Sequence, residues 1–333
     1  MNPNPAVLAL ALGASLCLST AGVQAQMFKD SVLESLHLAG KPAELQRLAT
    51  QRVAAQADDA QAVLALAVTA LAGSDPGARQ TALARAEGCV QRLPQAAACH
   101  YALGTVLGVQ AMSEGMLKVA RSAGAIKTAL TQAQALEPTW YPARSALVEF
   151  YLVAPGMMGG SSARAAELAA AAPSPEQARA LQARVALQDG KAETALSALT
   201  PLLTVADQEL ADDVRQWGAQ AAFNLVNNGQ ATKAQGFFER LSRDRPGHAV
   251  GPYGLARVRT EAGAFDEAVK LFESSATLKG AEILPIDYRK GIALQQAGRN
   301  DAARLAFKSF VATGKGQKTS LDDARKRLEQ LGG

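Results

Sequence analysis

An internal repeat of 34 to 39 residues constrains the fold of this chain more than any other feature of its sequence. Four segments align without gaps, and they read ALQARVALQDGKAETALSALTPLL, AQAAFNLVNNGQATKAQGFFERL, LARVRTEAGAFDEAVKLFESSATL and YRKGIALQQAGRNDAARLAFKSF. Each segment contains a glycine, an alanine five residues later and a bulky apolar residue four residues after that alanine. A fixed period of this length is typical of arrays in which each unit buries its apolar face against its neighbours.

The three landmarks of the repeat predict a pair of antiparallel helices joined by a tight turn. The glycine permits the positive φ that ends the first helix, and the alanine lets the two helices approach closely. The bulky residue lies one turn later on the same face and fills the space between helices. The glycines are Gly190, Gly229, Gly263 and Gly298; the alanines are Ala195, Ala234, Ala268 and Ala303; the bulky residues are Leu199, Phe238, Phe272 and Phe307.

This pattern resembles the tetratricopeptide repeat family, whose helix-turn-helix unit has about 34 residues. The small residue that the family carries in its first helix is found at Ala183, Ala222, Ala256 and Gly291. A closing proline is present as Pro246 but does not follow every repeat. The resemblance implies an all-α fold, a right-handed α-solenoid of antiparallel helix pairs. It also implies binding to a protein or peptide, without specifying which.

The domain organisation follows from where the pattern is clear and where it is interrupted. We expect a signal peptide over 1–25 and an α-solenoid over 26–333. Within the solenoid, residues 27–173 form degenerate units, residues 175–312 form the clearer repeats and residues 320–331 form a capping helix. The degenerate part includes one lengthened helix pair that ends at Pro138 and one extended connection over 155–162.

The first segment has the features of an export signal. Residues 6–18 form an apolar run that is too short to span a bilayer, which takes about 20 residues. Val23, Gln24 and Ala25 follow it and fit the small-residue cleavage rule. The sequence therefore predicts cleavage near Ala25 and a mature protein in the periplasm, without a membrane span. The alternative is an uncleaved N-terminal anchor.

Removal of that segment would leave two cysteines, Cys89 and Cys99. In an oxidising compartment a pair this close in sequence can form a disulfide. The alternative is two free, buried thiols, because cysteine also packs as a small hydrophobic residue.

The sequence contains no motif for catalysis, for a cofactor or for a metal. The three histidines, His37, His100 and His248, are far apart and never have the spacing of a zinc hydrolase. The acidic pair Asp212-Asp213 falls near a predicted helix start, where carboxylates favour the helix dipole. Nucleic-acid binding is also not expected, because the net charge is only +4 and no basic stripe with interleaved aromatic residues occurs.

The family resemblance also indicates where a partner would bind. In the family, ligand contacts come from four positions of the first helix, which lines the concave groove. Those positions carry Arg184, Phe223, Tyr253, Arg257 and Tyr288, and a looser upstream alignment adds Tyr101 and Glu149. Aromatic residues and arginine are enriched at binding hot spots. We expect Tyr288 and Arg257 to be the strongest candidates because such side chains keep a polar end in water, whereas Phe223 and Tyr253 can instead pack between helices.

The extended connection offers a second candidate. Met157 and Met158 lie in a glycine-rich loop, and methionine is adaptable enough to serve at binding surfaces. The alternative is that both side chains fold back onto neighbouring helices.

Three functional hypotheses are compatible with these features. The first is a non-catalytic adaptor or scaffold of the cell envelope, which binds a peptide or helix of a partner protein in its groove. The second is an accessory or small-molecule-sensing subunit of an envelope enzyme system. The third is a self-associating spacer.

Overall fold

The computed structural model describes residues 26–332, so the predicted signal peptide lies outside the described residues. Within this range the chain forms 17 α-helices and three short 3₁₀ turns. Within this range, β-type backbone pairing is limited to one isolated bridge between His248 and Lys279. The prediction of an all-α fold is confirmed.

The helices follow one another with short connections, and they are numbered in chain order. They are α1 Ser31–Leu38, α2 Pro42–Ala55, α3 Ala60–Ala72, α4 Pro76–Arg92, α5 Ala97–Glu114, α6 Met116–Leu136, α7 Tyr141–Val153, α8 Ser162–Ala170, α9 Pro175–Gln188, α10 Ala192–Leu199, α11 Gln208–Asn227, α12 Ala231–Asp244, α13 Val250–Glu261, α14 Phe265–Ala276, α15 Ile286–Gln296, α16 Asn300–Thr313 and α17 Lys318–Gln330. The 3₁₀ turns are Gly156–Met158, Thr200–Thr204 and Ala281–Ile283.

The turn inside each clear repeat has the geometry that the sequence predicts. Gly190, Gly229, Gly263 and Gly298 have φ values of 77°, 72°, 76° and 73°. The residue after each glycine donates its N–H to a carbonyl five residues back, as Lys191 does to Ala186. This bond is typical of a Schellman motif, which satisfies the last carbonyls of the first helix.

Close packing of the two helices depends on small residues facing large ones. All four repeat alanines are fully buried, and so are Leu199, Phe238, Phe272 and Phe307. A Cβ atom on Gly254 would lie 2.2 Å from Cδ1 of Phe238, and one on Gly291 would lie 2.7 Å from Cε1 of Phe307. The aromatic rings therefore occupy the space that a side chain at these glycines would need.

The helices are arranged in two layers. Consecutive helices pack on each other, and the odd-numbered helices also contact one another from α7 to α9, α9 to α11, α11 to α13 and α13 to α15. Helices α7 and α11 touch directly although they are separated by a further repeat unit. The odd-numbered helices from α3 to α15 therefore lie on the inside of the curve, and we call them the inner layer; the even-numbered helices form the outer layer.

The N-terminal residues 26–38 pack against the inner layer. The indole N–H of Trp140 donates to the carbonyl of Gln26 at 2.8 Å. Phe28 is completely buried, and its backbone N–H donates to Glu34. At the end of α1, Nε2 of His37 lies 2.8 Å from Oε1 of Glu209 on α11. The start of the described chain is thus joined to a helix 172 residues further on.

Cys89 and Cys99 are joined by a disulfide in the structure. Cys89 lies near the end of α4 and Cys99 in the first turn of α5, with their Cα atoms 5.5 Å apart. Both side chains are buried in the core that α3, α4 and α5 share. A loop this short stabilises the folded state by about 3 kcal/mol on the chain-entropy model.

Among residues 26–332, no helix combines the length and the apolar character needed to cross a membrane.

Candidate binding surface on the inner layer

All seven predicted groove residues lie on inner-layer helices. Tyr101 is on α5, Glu149 on α7, Arg184 on α9, Phe223 on α11, Tyr253 and Arg257 on α13, and Tyr288 on α15. They divide into two groups of opposite charge. One group surrounds Asp213 in the middle of the chain, and the other surrounds Arg257 in the C-terminal repeats.

Asp213 is the centre of the first group. Its Oδ2 atom accepts hydrogen bonds from the hydroxyls of Tyr141 at 2.7 Å and Ser145 at 2.6 Å. Removal from water raises the pKa of Asp213 to about 7, and the nearby carboxylates Glu149 and Glu209 add to this rise. At neutral pH this carboxyl group therefore lies close to the midpoint of its titration.

Helix α7 presents its polar residues to Asp213 as a stripe. Tyr141, Ser145 and Glu149 follow one another at intervals of four residues, which places them on one face of the helix. Glu149 continues the stripe toward α9, where Arg184 donates to both of its carboxylate oxygens at 2.6 Å and 2.9 Å. These two hydrogen bonds hold the buried guanidinium group of Arg184 in place.

Helix α1 contributes Glu34 and His37 to the first group. The hydrogen bond that the His37 imidazole donates to Glu209 raises the pKa of His37, so that the imidazole is charged over a wider pH range than usual. Burial raises the pKa of Glu34, although its side chain accepts a hydrogen bond from the backbone of Phe28. Burial also raises the pKa of Tyr101, which faces the charges of Glu209 and Asp213.

We call Glu34, Glu149, Glu209 and Asp213 the acidic cluster. Its two cationic neighbours are Arg184, which is bound to Glu149, and His37, which is bound to Glu209. The hydrogen-bond donors to Asp213 are neutral hydroxyls. Because carboxylates outnumber cations here, this part of the inner layer is suited to a cationic group.

The second group is built around two guanidinium groups, and we call it the arginine cluster: Phe223, Tyr253, Arg257, Tyr288 and Arg289. Arg257 lies over the ring of Phe223 at 5.8 Å, and Arg289 lies over the ring of Tyr288 at 5.2 Å. The rings of Phe223 and Tyr253 meet edge to face at 5.6 Å. Burial lowers the pKa of Arg257, and the charge of Arg289 lowers it further.

The polar ends of Arg257 and Tyr288 are less exposed than the sequence leads one to expect. Each residue is only 8% exposed. Arg257 donates to the side-chain carbonyl of Asn227 at 2.8 Å, and Tyr288 donates its hydroxyl to Asp323 on α17 at 2.9 Å. Both side chains are therefore held in fixed orientations by neighbouring helices, which is the arrangement that a preformed binding site needs.

The sequence alone did not single out Asp213 or Arg289. Asp213 was assigned to the helix dipole, but it is the sixth residue of α11 and faces α7, whereas its neighbour Asp212 is exposed. The signal that could have identified it is the four-residue spacing of Tyr141, Ser145 and Glu149 on α7, a helix whose only other polar side chains are Arg144 and Tyr151. Arg289 has an Nε atom that is buried and lacks a hydrogen-bond partner within residues 26–332.

The two methionines of the extended connection behave differently. Met157 is 92% exposed, and Met158 is half-buried. Both belong to the 3₁₀ turn after α7, which contacts α6. They follow the C-terminal end of α7 and belong to neither group of the inner layer.

Comparison with known proteins shows similarity at the level of structure. No family model and no curated protein matches the sequence. A solved structure of the human IFIT1 dimer with PPP-AAAA is 14% identical, with 90% of this chain and 72% of that chain covered and a TM-score of 0.53. A monomeric IFIT1 mutant with Gppp-AAAA has the same identity, with 90% and 71% covered and a TM-score of 0.55. The P58(IPK) TPR domain is 15% identical over 90% of this chain and 97% of that chain, with a TM-score of 0.28. The chain thus has an all-α fold of helices packed in consecutive pairs, similar to the fold of the two IFIT1 structures.

Proposed function

We propose that this protein is a non-catalytic binding scaffold whose inner layer holds a segment of a partner protein. Tetratricopeptide-like folds generally serve as protein-binding scaffolds. The observation that carries the proposal is that one half of the inner layer has an excess of acidic groups and the other half has an excess of basic groups. The acidic cluster has more carboxylates than cations, and the arginine cluster brings two guanidinium groups together.

The charges indicate the chemistry of the bound segment. A lysine or arginine side chain near Asp213 would compensate the acidic cluster, and a carboxylate near Arg257 and Arg289 would compensate the arginine cluster. Asp213 and Phe223 are ten residues apart on α11, which corresponds to about 15 Å along the helix axis. An extended segment spans that distance with about five residues. The favoured ligand is therefore a peptide segment with a basic and an acidic group at that separation.

Site-specific photocrosslinking tests this proposal. Gln220 is exposed and lies seven residues, two helical turns, after Asp213 on α11, which places it between the two clusters on the same face. A photoreactive amino acid at Gln220 is expected to form adducts with a partner protein in cells, whereas one at the exposed Gln80 on the outer-layer helix α4 is not. The double variant Arg257→Gln, Arg289→Gln should reduce the Gln220 adduct about tenfold, the effect of losing one charged hydrogen bond.

Two outcomes would contradict the proposal. Equal adduct yields at Gln80 and Gln220 would mean that the inner layer is not the binding surface. A small molecule that remains bound through purification, together with no peptide adduct at Gln220, would instead favour the small-molecule-sensing alternative. Circular dichroism of the double variant separates lost binding from lost folding.

The same proposal includes export to the cell envelope, with the mature protein in the periplasm. It rests on the apolar run over 6–18, the cleavage rule at Val23 to Ala25 and the Cys89–Cys99 disulfide, since disulfides persist in oxidising compartments. We expect mass spectrometry of the native protein to find an N-terminus close to Gln26. Intact residues 1–20 in mature protein would overturn the cleavage and support an N-terminal anchor.

A further inference from the structure

Exposed apolar side chains are concentrated at one end of the molecule. Ten large apolar residues are exposed within 26–332, and six of them lie at the turn between α5 and α6 or at the connection after α7. These six are Val109, Met112, Met116, Leu117, Val153 and Met157. Scattered exposed apolar residues are ordinary on a protein surface, but a cluster of this kind marks an interaction site.

The α5–α6 hairpin projects beyond the helices that follow it. A Cβ atom on Gly159, in the connection after α7, would lie 3.1 Å from Cδ of Lys127 on α6, and Nζ of Lys127 lies 5.7 Å from the ring centre of Tyr151 in the last turn of α7, so the end of α7 is within reach of the Lys127 side chain. Met116 begins α6 eleven residues earlier, which is about 16 Å further along the helix axis. We call residues 109–121 the hairpin tip.

The apolar side chains occupy the extreme end of this tip. Helix α5 ends at Glu114, Gly115 with a φ of 99° reverses the chain, and Met116 and Leu117 immediately follow in the first turn of α6. Gly115, Met116 and Leu117 are exposed. Methionine adapts its shape to irregular surroundings, which suits contact with a fluid or variable surface.

Basic residues lie behind the apolar end, on α6 and at the start of α8. Lys118, Arg121 and Lys127 follow on α6, and Arg164 lies in the first turn of α8. Glu114 is the single acidic residue within 109–127, and it pairs with Lys118 at 3.4 Å. Arg121 is exposed and lies five residues behind Met116, about 7.5 Å along α6.

We propose that the hairpin tip docks on a membrane surface that carries anionic lipid headgroups. Apolar side chains of interfacial proteins enter the boundary between headgroups and acyl chains to a depth of about 5–10 Å. When the tip is inserted to that depth, Arg121 and Lys118 lie at the level of the lipid phosphates, whose negative charge attracts basic residues. The association is peripheral, with the apolar tip in the membrane interface.

Vesicle cosedimentation of the full chain tests this docking. We expect the protein to bind vesicles of phosphatidylcholine mixed with phosphatidylglycerol and to bind pure phosphatidylcholine vesicles much less. The variant Met112→Asp, Leu117→Asp should lower binding to the mixed vesicles at least about tenfold, because charged residues are excluded from the interface. The variant Lys118→Gln, Arg121→Gln should remove the preference for anionic lipid while leaving residual binding.

A matched control distinguishes the tip from apolar exposure in general. Ile283 and Leu305 are 76% and 68% exposed and lie in the C-terminal repeats, away from the tip. The variant Ile283→Asp, Leu305→Asp should bind the mixed vesicles as the unchanged protein does. The proposal is overturned if the unchanged protein does not bind these vesicles or if the control variant loses binding equally. Conversion of a dimer to a monomer by the tip variant would show that a second copy, and not lipid, covers the tip.

Discussion

Replacing Phe238 by alanine is expected to lower the free energy of unfolding by about 3–5 kcal/mol, the usual cost of removing a large aromatic side chain from a core. Phe238 is fully buried on α12, and its ring centre lies 5.0 Å from that of Phe223 and 5.7 Å from that of Phe237. Gly254 faces the same ring and has no side chain with which to fill the resulting cavity. Urea denaturation followed by far-ultraviolet circular dichroism measures the change.

Leu305→Ala provides the control for this prediction. Leu305 is a large apolar residue of α16 that is mostly exposed, so its truncation should change the free energy of unfolding by no more than about 0.5 kcal/mol. Similar losses in Phe238→Ala and Leu305→Ala would contradict the role assigned to the repeat phenylalanine.

Replacing Asp213 by asparagine should remove most of the decrease in stability that we expect between about pH 4 and pH 8. The folded protein raises the pKa of Asp213 to about 7, so the folded state binds this proton more tightly than the unfolded state does. The protonated carboxyl group of Asp213 stabilises the folded state fully below pH 3.8, the ordinary pKa of the group. This stabilisation is lost as the pH rises through about 7. The difference amounts to as much as about 4 kcal/mol, whereas asparagine stays neutral and still accepts hydrogen bonds from Tyr141 and Ser145.

Two neighbouring groups leave a smaller pH dependence in the asparagine variant. The pKa values of Glu34 and His37 are also raised, so their contributions to stability are also lost as the pH rises. The contribution of Glu34 is lost above its ordinary pKa of 4.5, and that of His37 above 6.5. Unfolding curves at about pH 5 and pH 8 measure the effect. Asp212→Asn, at the adjacent and exposed position, is the control and should retain the full pH dependence. The same dependence in Asp213→Asn would contradict the assignment.

The clear repeats could be predicted because their determinants are local. Gly263 and Ala268 act within one helix pair, and the residues that they require are fixed by the spacing inside that pair. The structure places Gly263 at positive φ and buries Ala268 completely. No information about the curvature of the array is needed for either assignment.

The two charged clusters could be predicted only in part, because they depend on contacts between repeats. The family positions indicated Arg184, Arg257 and Tyr288, but not their partners. Asp323 reaches Tyr288 only because α17 packs on the last repeat. Asp213 reaches Tyr141 because the array bends enough for α7 and α11 to touch, and a repeat period carries no measure of that bend.

The packing of residues 26–38 against the inner layer has a consequence for how the array unfolds. In an open solenoid, each unit contacts only its neighbours, so the ends can fray one unit at a time. Here the bond between His37 and Glu209 and the bond between Gln26 and Trp140 close the first part of the array on itself. Opening residues 26–38 uncovers Phe28 and breaks the bonds to Trp140 and Glu209 together, so we expect the chain from α1 to α11 to open as one cooperative unit. Helices α13 to α17 carry no such closure and can exchange their amide hydrogens by local opening while the rest of the protein stays folded.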